Sequence, residues 1–202
     1  MYLESAVFEN FRNIEHFPFG FMEGMNIIFG GNAQGKTAVI EGIYLFAGGK
    51  SFRKAKDREM IKNDRLHSQV SIGFSDSRRD HKMTVRTFRD LKKELFINGM
   101  KVKKMSEFVG NFKAVLFCPE HLAIVRDEPS VRRNFIDSAI SQVNPKYLSA
   151  LIEYGKIVEN KNALLRTPEN YSQSEFENLF SLYSQRMAKG SAYITSVRTE
   201  YV

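Results

Sequence analysis

Eight consecutive residues, Gly30-Gly31-Asn32-Ala33-Gln34-Gly35-Lys36-Thr37, have the types and spacing G-x-x-x-x-G-K-[ST] of a phosphate-binding loop. Each type has a chemical reason. Glycines let the backbone turn tightly and aim its N–H groups at phosphate oxygens. A helix starting at the end of the loop adds partial positive charge from its N-terminus. Lys36 would reach the β- and γ-phosphates of a nucleotide, and Thr37 would place its hydroxyl on Mg²⁺.

Such a loop needs a strand before it and a helix after it. Met25 to Phe29 is a short apolar run that stops at Gly30-Gly31 and reads as that strand. From Thr37 to Phe46, the residues Val39, Ile40, Ile43, Tyr44 and Ala47 follow helical spacing, and Gly48-Gly49 ends the helix. Upstream, Leu3 to Phe11 reads as an opening strand. Glu15 to Phe19 reads as a second, which Pro18 makes an edge or a strand end. Lys50 to Arg65 is charge-rich and weakly periodic, so it reads as a loop with a short helix. Val70, Ile72 and Phe74 alternate, as do Met83, Val85 and Thr87. Leu95 and Ile97 alternate before the hairpin signal Asn98-Gly99, and Val102 follows. These form an antiparallel meander. Ala114 to Phe117 reads as a further strand, ended by Pro119.

The second half is helical. Asp127 can cap a helix whose first turn holds Pro129, with a stripe of Val131, Phe135, Ile136, Ala139, Ile140 and Val143. Pro145 opens the next helix, with Leu148, Leu151, Ile152 and Leu165 among its apolar positions. A polar break from Thr167 to Ser174 separates it from a last helix carrying Phe176, Leu179, Phe180, Tyr183 and Met187. The last two helices should pair antiparallel. The predicted architecture is α/β: a P-loop NTPase fold with an antiparallel β meander over residues 1–126, then a helical part over residues 127–202.

Composition bounds the rest. At 202 residues with 43% hydrophobic and 26% charged residues, the chain is ordinary globular protein. No apolar run approaches the ~20 residues of a membrane span, and Met1 to Phe11 lacks a signal-peptide apolar block. The single cysteine, Cys118, removes an internal disulfide framework and fits a reducing, cytoplasmic compartment. A net charge of +7 permits an anionic partner such as nucleic acid or nucleotide.

Hydrolysis needs an acidic residue at a strand end to hold Mg²⁺. None is found in this chain. Ala114-Val115-Leu116-Phe117 is followed by Cys118 and Pro119 before Glu120. Asp137 falls in a helical stripe and reads as a helix-surface residue. The four histidines and Cys118 lack ligand-like spacing, so no structural metal is expected. Lys50, Arg53, Lys54, Lys56 and Arg58 in the charge-rich loop are either a solvated face or a DNA phosphate-contact surface. Alternatives from other classes are a nucleotide-binding module that never hydrolyses, and another small P-loop enzyme such as a kinase.

An ordered set of motifs resembles the RecF family of bacterial DNA-repair proteins, relatives of the SMC proteins with an ABC-type ATPase head. The set comprises Asn10-Phe11-Arg12-Asn13, the loop at 30–37, Glu41-Gly42-Ile43-Tyr44 and Gly49-Lys50-Ser51-Phe52-Arg53. It continues with Phe117-Cys118-Pro119-Glu120-His121-Leu122 and the block from Pro129 to Asp137. Ala33 departs from the family, which usually has Gly there, and His121 stands where Asp is usual. The resemblance implies ATP and Mg²⁺ as cofactors and an ATP-dependent homodimer. It also implies binding to double-stranded and gapped DNA, and joint action with other recombination mediators in loading a recombinase. It places Arg12 and Asn13 close to the nucleotide and Glu120 near the metal. It implies further that the Walker B acid, the signature motif and central strands of the sheet lie in a later segment. On that basis the 202-residue chain by itself should turn over ATP negligibly.

Overall fold

The structure is a computed structural model and describes residues 1–119, 124 and 128–202. It divides into two compact units, Met1–His121 and Leu122–Val202.

The first unit is built on a six-stranded antiparallel sheet in the order β2-β1-β3-β4-β5-β6. Its strands are β1 (Tyr2–Phe11), β2 (Ile14–Gly20), β3 (His67–Ser75), β4 (Asp80–Phe88), β5 (Glu94–Ile97) and β6 (Met100–Val102). Strand alternation puts one apolar set on one face. In register, Phe8 lies opposite Val70 and Ala6 opposite Ile72. Val70 then faces Val85 and Ile72 faces Met83, and Val85 faces Leu95. All seven of these side chains are in the buried core. β2 is an edge strand, so Pro18, opposite Val7, withholds no hydrogen bond from an inner ladder. Asn98 and Gly99, at φ 49° and 81°, make the two-residue turn between β5 and β6.

Helix α1 (Lys36–Gly48) buries Val39, Gly42, Leu45 and Phe46, and Gly49 closes it in the left-handed conformation. The approach to the sheet is close. A Cβ at Gly42 would stand 2.4 Å from Cε1 of Phe8. A 3-10 turn at Asp57–Met60 and the short helix α2 (Met105–Phe108) complete the unit.

Two expected strands do not form. Residues 21–30 carry no strand, and Phe29 is 89% exposed, although Ile28 packs against the core. Ala114 to Phe117 is likewise irregular, with Val115 96% exposed. Both runs have strand-like composition, but a strand needs a neighbouring ladder. Among the described residues neither run has one.

The second unit contains α3 (Pro129–Val143), α4 (Pro145–Arg166) and α5 (Gln173–Tyr201). Pro129 occupies the first turn of α3 as expected, while the cap assigned to Asp127 lies outside the described residues. Asn144 caps α4 through a bond from the Tyr147 N–H at 3.0 Å. Ser172 and Glu175 form a capping box on α5. α4 and α5 run antiparallel: Lys146 stacks over Tyr193, while Lys161 donates to Ser184 at 2.9 Å. The core of this unit is Ile140, Tyr147 and Ile194, and Leu164 is also buried. Phe135, Val143, Ile152 and Leu165, read as apolar-face residues, are exposed.

Asp137 is not a surface residue. It is buried, it accepts from the Tyr147 hydroxyl at 2.5 Å, and both its oxygens take bonds from Arg198 at 2.8 Å. These bonds join all three helices. Burial, and then the bond to Asp137, push the Tyr147 hydroxyl up to about 12. The carboxylate holds the Arg198 guanidinium above its ordinary value.

Candidate nucleotide-binding site

The loop at 30–37 owes its shape to three residues of positive φ: Gly30 at 149°, Ala33 at 60° and Gly35 at 95°. Two are glycines. Ala33 carries a Cβ in the left-handed region, which costs about 1 kcal/mol. Its carbonyl accepts a hydrogen bond from the Asn13 side chain at 2.8 Å, which holds the loop in that conformation. At Gly35 the need for glycine is double, since a Cβ there would also sit 3.1 Å from Oδ1 of Asn13.

Gly35 is the N-cap of α1, and no side chain caps the helix. The ladder begins with the Val39 N–H bonded to the Gly35 carbonyl at 3.0 Å. The N–H groups of the first turn, at Lys36, Thr37 and Ala38, therefore precede the ladder and are free of it. Lys36 Nζ donates to the Gly30 and Gly31 carbonyls, both at 2.7 Å.

These groups open onto a cleft of about 770 Å³. Residues 32–38 form one wall, Arg12, Asn13 and Arg53 the flank, and Glu59, Ile61, Lys62 and Asn63 the far side. β1 fixes that far side. Its end bridges Phe11 to Ile61, the Arg12 N–H bonds to the Met60 carbonyl, and the Lys62 N–H bonds to the Asn10 carbonyl, each bond at 2.8 Å. Lys62 and Arg65 also pair with Glu15 on β2. The Lys62 hydrogen bond leads in holding that carboxyl below its ordinary value.

The structure thus gathers Arg12, Asn13, Lys36 and Thr37 with Asn32, Ala33, Gln34 and Gly35 around one cleft. Gly30 and Gly31 contribute carbonyls to Lys36. Arg53, read with the basic loop, lines the cleft, while Lys50, Lys54, Lys56 and Arg58 are exposed outside its lining. Glu120 lies outside the described residues. Glu41, named in the sequence only as part of a motif, was given no role there. It is 0% exposed and paired with Arg12. The available signal was a lone acid on the apolar face of α1, between Val39 and Leu45.

The family described as AAA domain matches residues 7–189. The DNA replication and repair protein RecF of Clostridium beijerinckii is 36% identical over all 202 residues, which cover 54% of that relative. The solved structure of the recombination mediator protein RecF–ATPrS in the RecFOR pathway superposes with a TM-score of 0.89 at 33% identity. That match covers 99% of this chain and 54% of the other. The Smc head domain of Pyrococcus furiosus superposes at a TM-score of 0.54 and 20% identity, over 99% of this chain and 57% of that one, a likeness of fold alone. The chain spans about half the length of the curated relatives it matches. It belongs to the AAA domain family, and over its whole length it matches the N-terminal half of RecF proteins.

Proposed function

We propose that this chain is the ATP-binding part of a RecF-type DNA replication and repair ATPase. In that reading the whole protein dimerises on ATP and binds double-stranded and gapped DNA. It acts with other recombination mediators in loading a recombinase. The observation that carries the nucleotide half is the cleft, where a glycine-bearing loop, an uncapped helix N-terminus, Lys36 and Arg12 converge. A polyphosphate answers that arrangement. Its oxygens accept from the first-turn N–H groups, and its charge meets the helix end. Lys36 would exchange its two carbonyl acceptors for phosphate oxygens, which are stronger because they are charged.

Mg²⁺ fits the same place. Thr37 lines the cleft in the first turn of α1, and a hydroxyl oxygen suits a hard cation. When bound, the ion would neutralise phosphate charge. The DNA half rests on the resemblance and on the exposed cations Lys50, Lys54, Lys56 and Arg58, whose phosphate contacts would be independent of sequence and sensitive to salt. Arg53 belongs to the cleft in this reading.

Competition for a fluorescent ATP analogue tests the assignment. ATP should displace the probe, and AMP should not, because Lys36 reads the β- and γ-phosphates. Equal displacement by AMP would remove the P-loop reading.

A further inference from the structure

A carboxylate removed from water is stable only when paired and fully hydrogen-bonded. Glu41 sits among Ala38, Val39, Leu45 and Phe46 on the buried side of α1, where an apolar residue would pack without that requirement. Its partners explain why it is there. Oε2 accepts from Arg12 Nε at 2.9 Å and Oε1 from Arg12 Nη2 at 2.6 Å, a two-bond fork. Ser51 donates its hydroxyl to Oε1, and Arg53 Nη1 stands 3.8 Å from Oε2. The acid thus ties α1 to the end of β1 and to the loop after α1. Two of its three partners, Arg12 and Arg53, line the cleft, and Glu41 itself does not.

Arg12 is held at its other end as well. It has φ 55°, and Nη1 donates to the Glu59 carbonyl at 2.8 Å. Three of the five guanidinium N–H groups are engaged, which leaves two for a ligand. One carboxylate against two guanidiniums leaves the cluster net positive at the cleft wall.

We propose that Glu41 is a positioning residue for nucleotide binding: its buried carboxylate sets the plane of the Arg12 guanidinium and draws Arg53 in, so that both cations face the bound phosphates. This rests on the ATP-binding reading above.

The test is MgATP affinity of the full chain, measured by titration calorimetry on wild type, Glu41→Gln, Arg12→Ala and the double variant. Glutamine keeps the volume and removes the charge. Glu41→Gln should weaken MgATP by about tenfold, the scale of one mis-set charged hydrogen bond. In the Arg12→Ala background it should change affinity by less than about twofold, because the two act as one unit. Wild-type affinity in Glu41→Gln would overturn the proposal. So would independent losses that multiply in the double variant, which is how a merely structural residue behaves. Arg12→Lys covers the case in which Glu41→Gln fails to fold. It keeps the charge and loses the fork, so it should bind as weakly as Arg12→Ala, and wild-type affinity there would also overturn the proposal. Lys36→Ala separates the two readings. If it binds as well as wild type, the cleft reading falls and this inference with it. If Lys36→Ala loses binding while Glu41→Gln keeps it, only this inference falls.

Discussion

In each unit of this chain a buried carboxylate is paired with an arginine. In the helical unit, Asp137 takes two bonds from Arg198 and one from Tyr147. In the sheet unit, Glu41 takes two from Arg12 and one from Ser51. The local chemistry is nearly the same. The surroundings differ. Arg198 spends its described bonds on its own cluster, Asp137 and Tyr147, and thereby fastens α3, α4 and α5. Arg12 gives two donors to Glu41 and a third to the Glu59 carbonyl, and stands on the wall of a cleft with Lys36. A buried ion pair is thus a fastener in one place and a mount in the other. What distinguishes them is where the cation stands: Arg12 on the cleft wall beside Lys36, Arg198 among three helices.

The largest effect that would sharpen this contrast is at the fastener. Asp137→Ala leaves Arg198 without its anion, and such losses cost about 3 kcal/mol. Urea unfolding should show that loss while MgATP affinity stays at the wild-type value. A fall in affinity would break the comparison. Next is Gly42→Ala in the sheet unit. Its added Cβ meets the Phe8 ring at 2.4 Å, so the ring or α1 itself must shift. Overpacking of this kind costs about 1–3 kcal/mol, and because α1 carries Lys36 and Thr37, affinity should fall along with the melting temperature. An unchanged melting temperature would contradict the packing described. Ala33→Gly is smaller and of opposite sign. It relieves a left-handed alanine at φ 60° and should raise stability by about 1 kcal/mol, read from thermal unfolding.

The smallest effect is with pH. Burial raises the Tyr147 hydroxyl from 10.0 to about 12. A raised group contributes its stability in full below its unfolded value and loses it as pH rises through the folded one. The helical unit should therefore weaken between pH 10 and about 12. Tyr147→Phe should flatten that limb, and an identical limb in the variant would assign the loss elsewhere.

Much of this fold was legible in the sequence because the responsible forces are local. Alternation in Val70-Ile72-Phe74 and Met83-Val85, the Asn98-Gly99 turn, and the Gly48-Gly49 stop each act within a few residues, and each element formed where read. The loop at 30–37 was legible for the same reason. What failed to read depends on neighbours. Met25 to Phe29 and Ala114 to Phe117 have the composition of strands but lack a ladder among the described residues. Asp137 looked like a surface acid because its partner, Arg198, lies 61 positions away. Glu41 and Arg12 are 29 apart and meet only once α1 lies on β1. Leu164 rather than Leu165 is buried, since the packing of α4 against α5 decides which side of the stripe turns inward.

The central claim is that the cleft holds a nucleoside triphosphate through the loop at 30–37. Calorimetric titration of MgATP into wild type and Lys36→Ala tests it most directly. The account predicts saturable binding in the wild type and a loss of at least about tenfold in the variant, the scale of removing one charged contact. Equal affinity in the two proteins would contradict it.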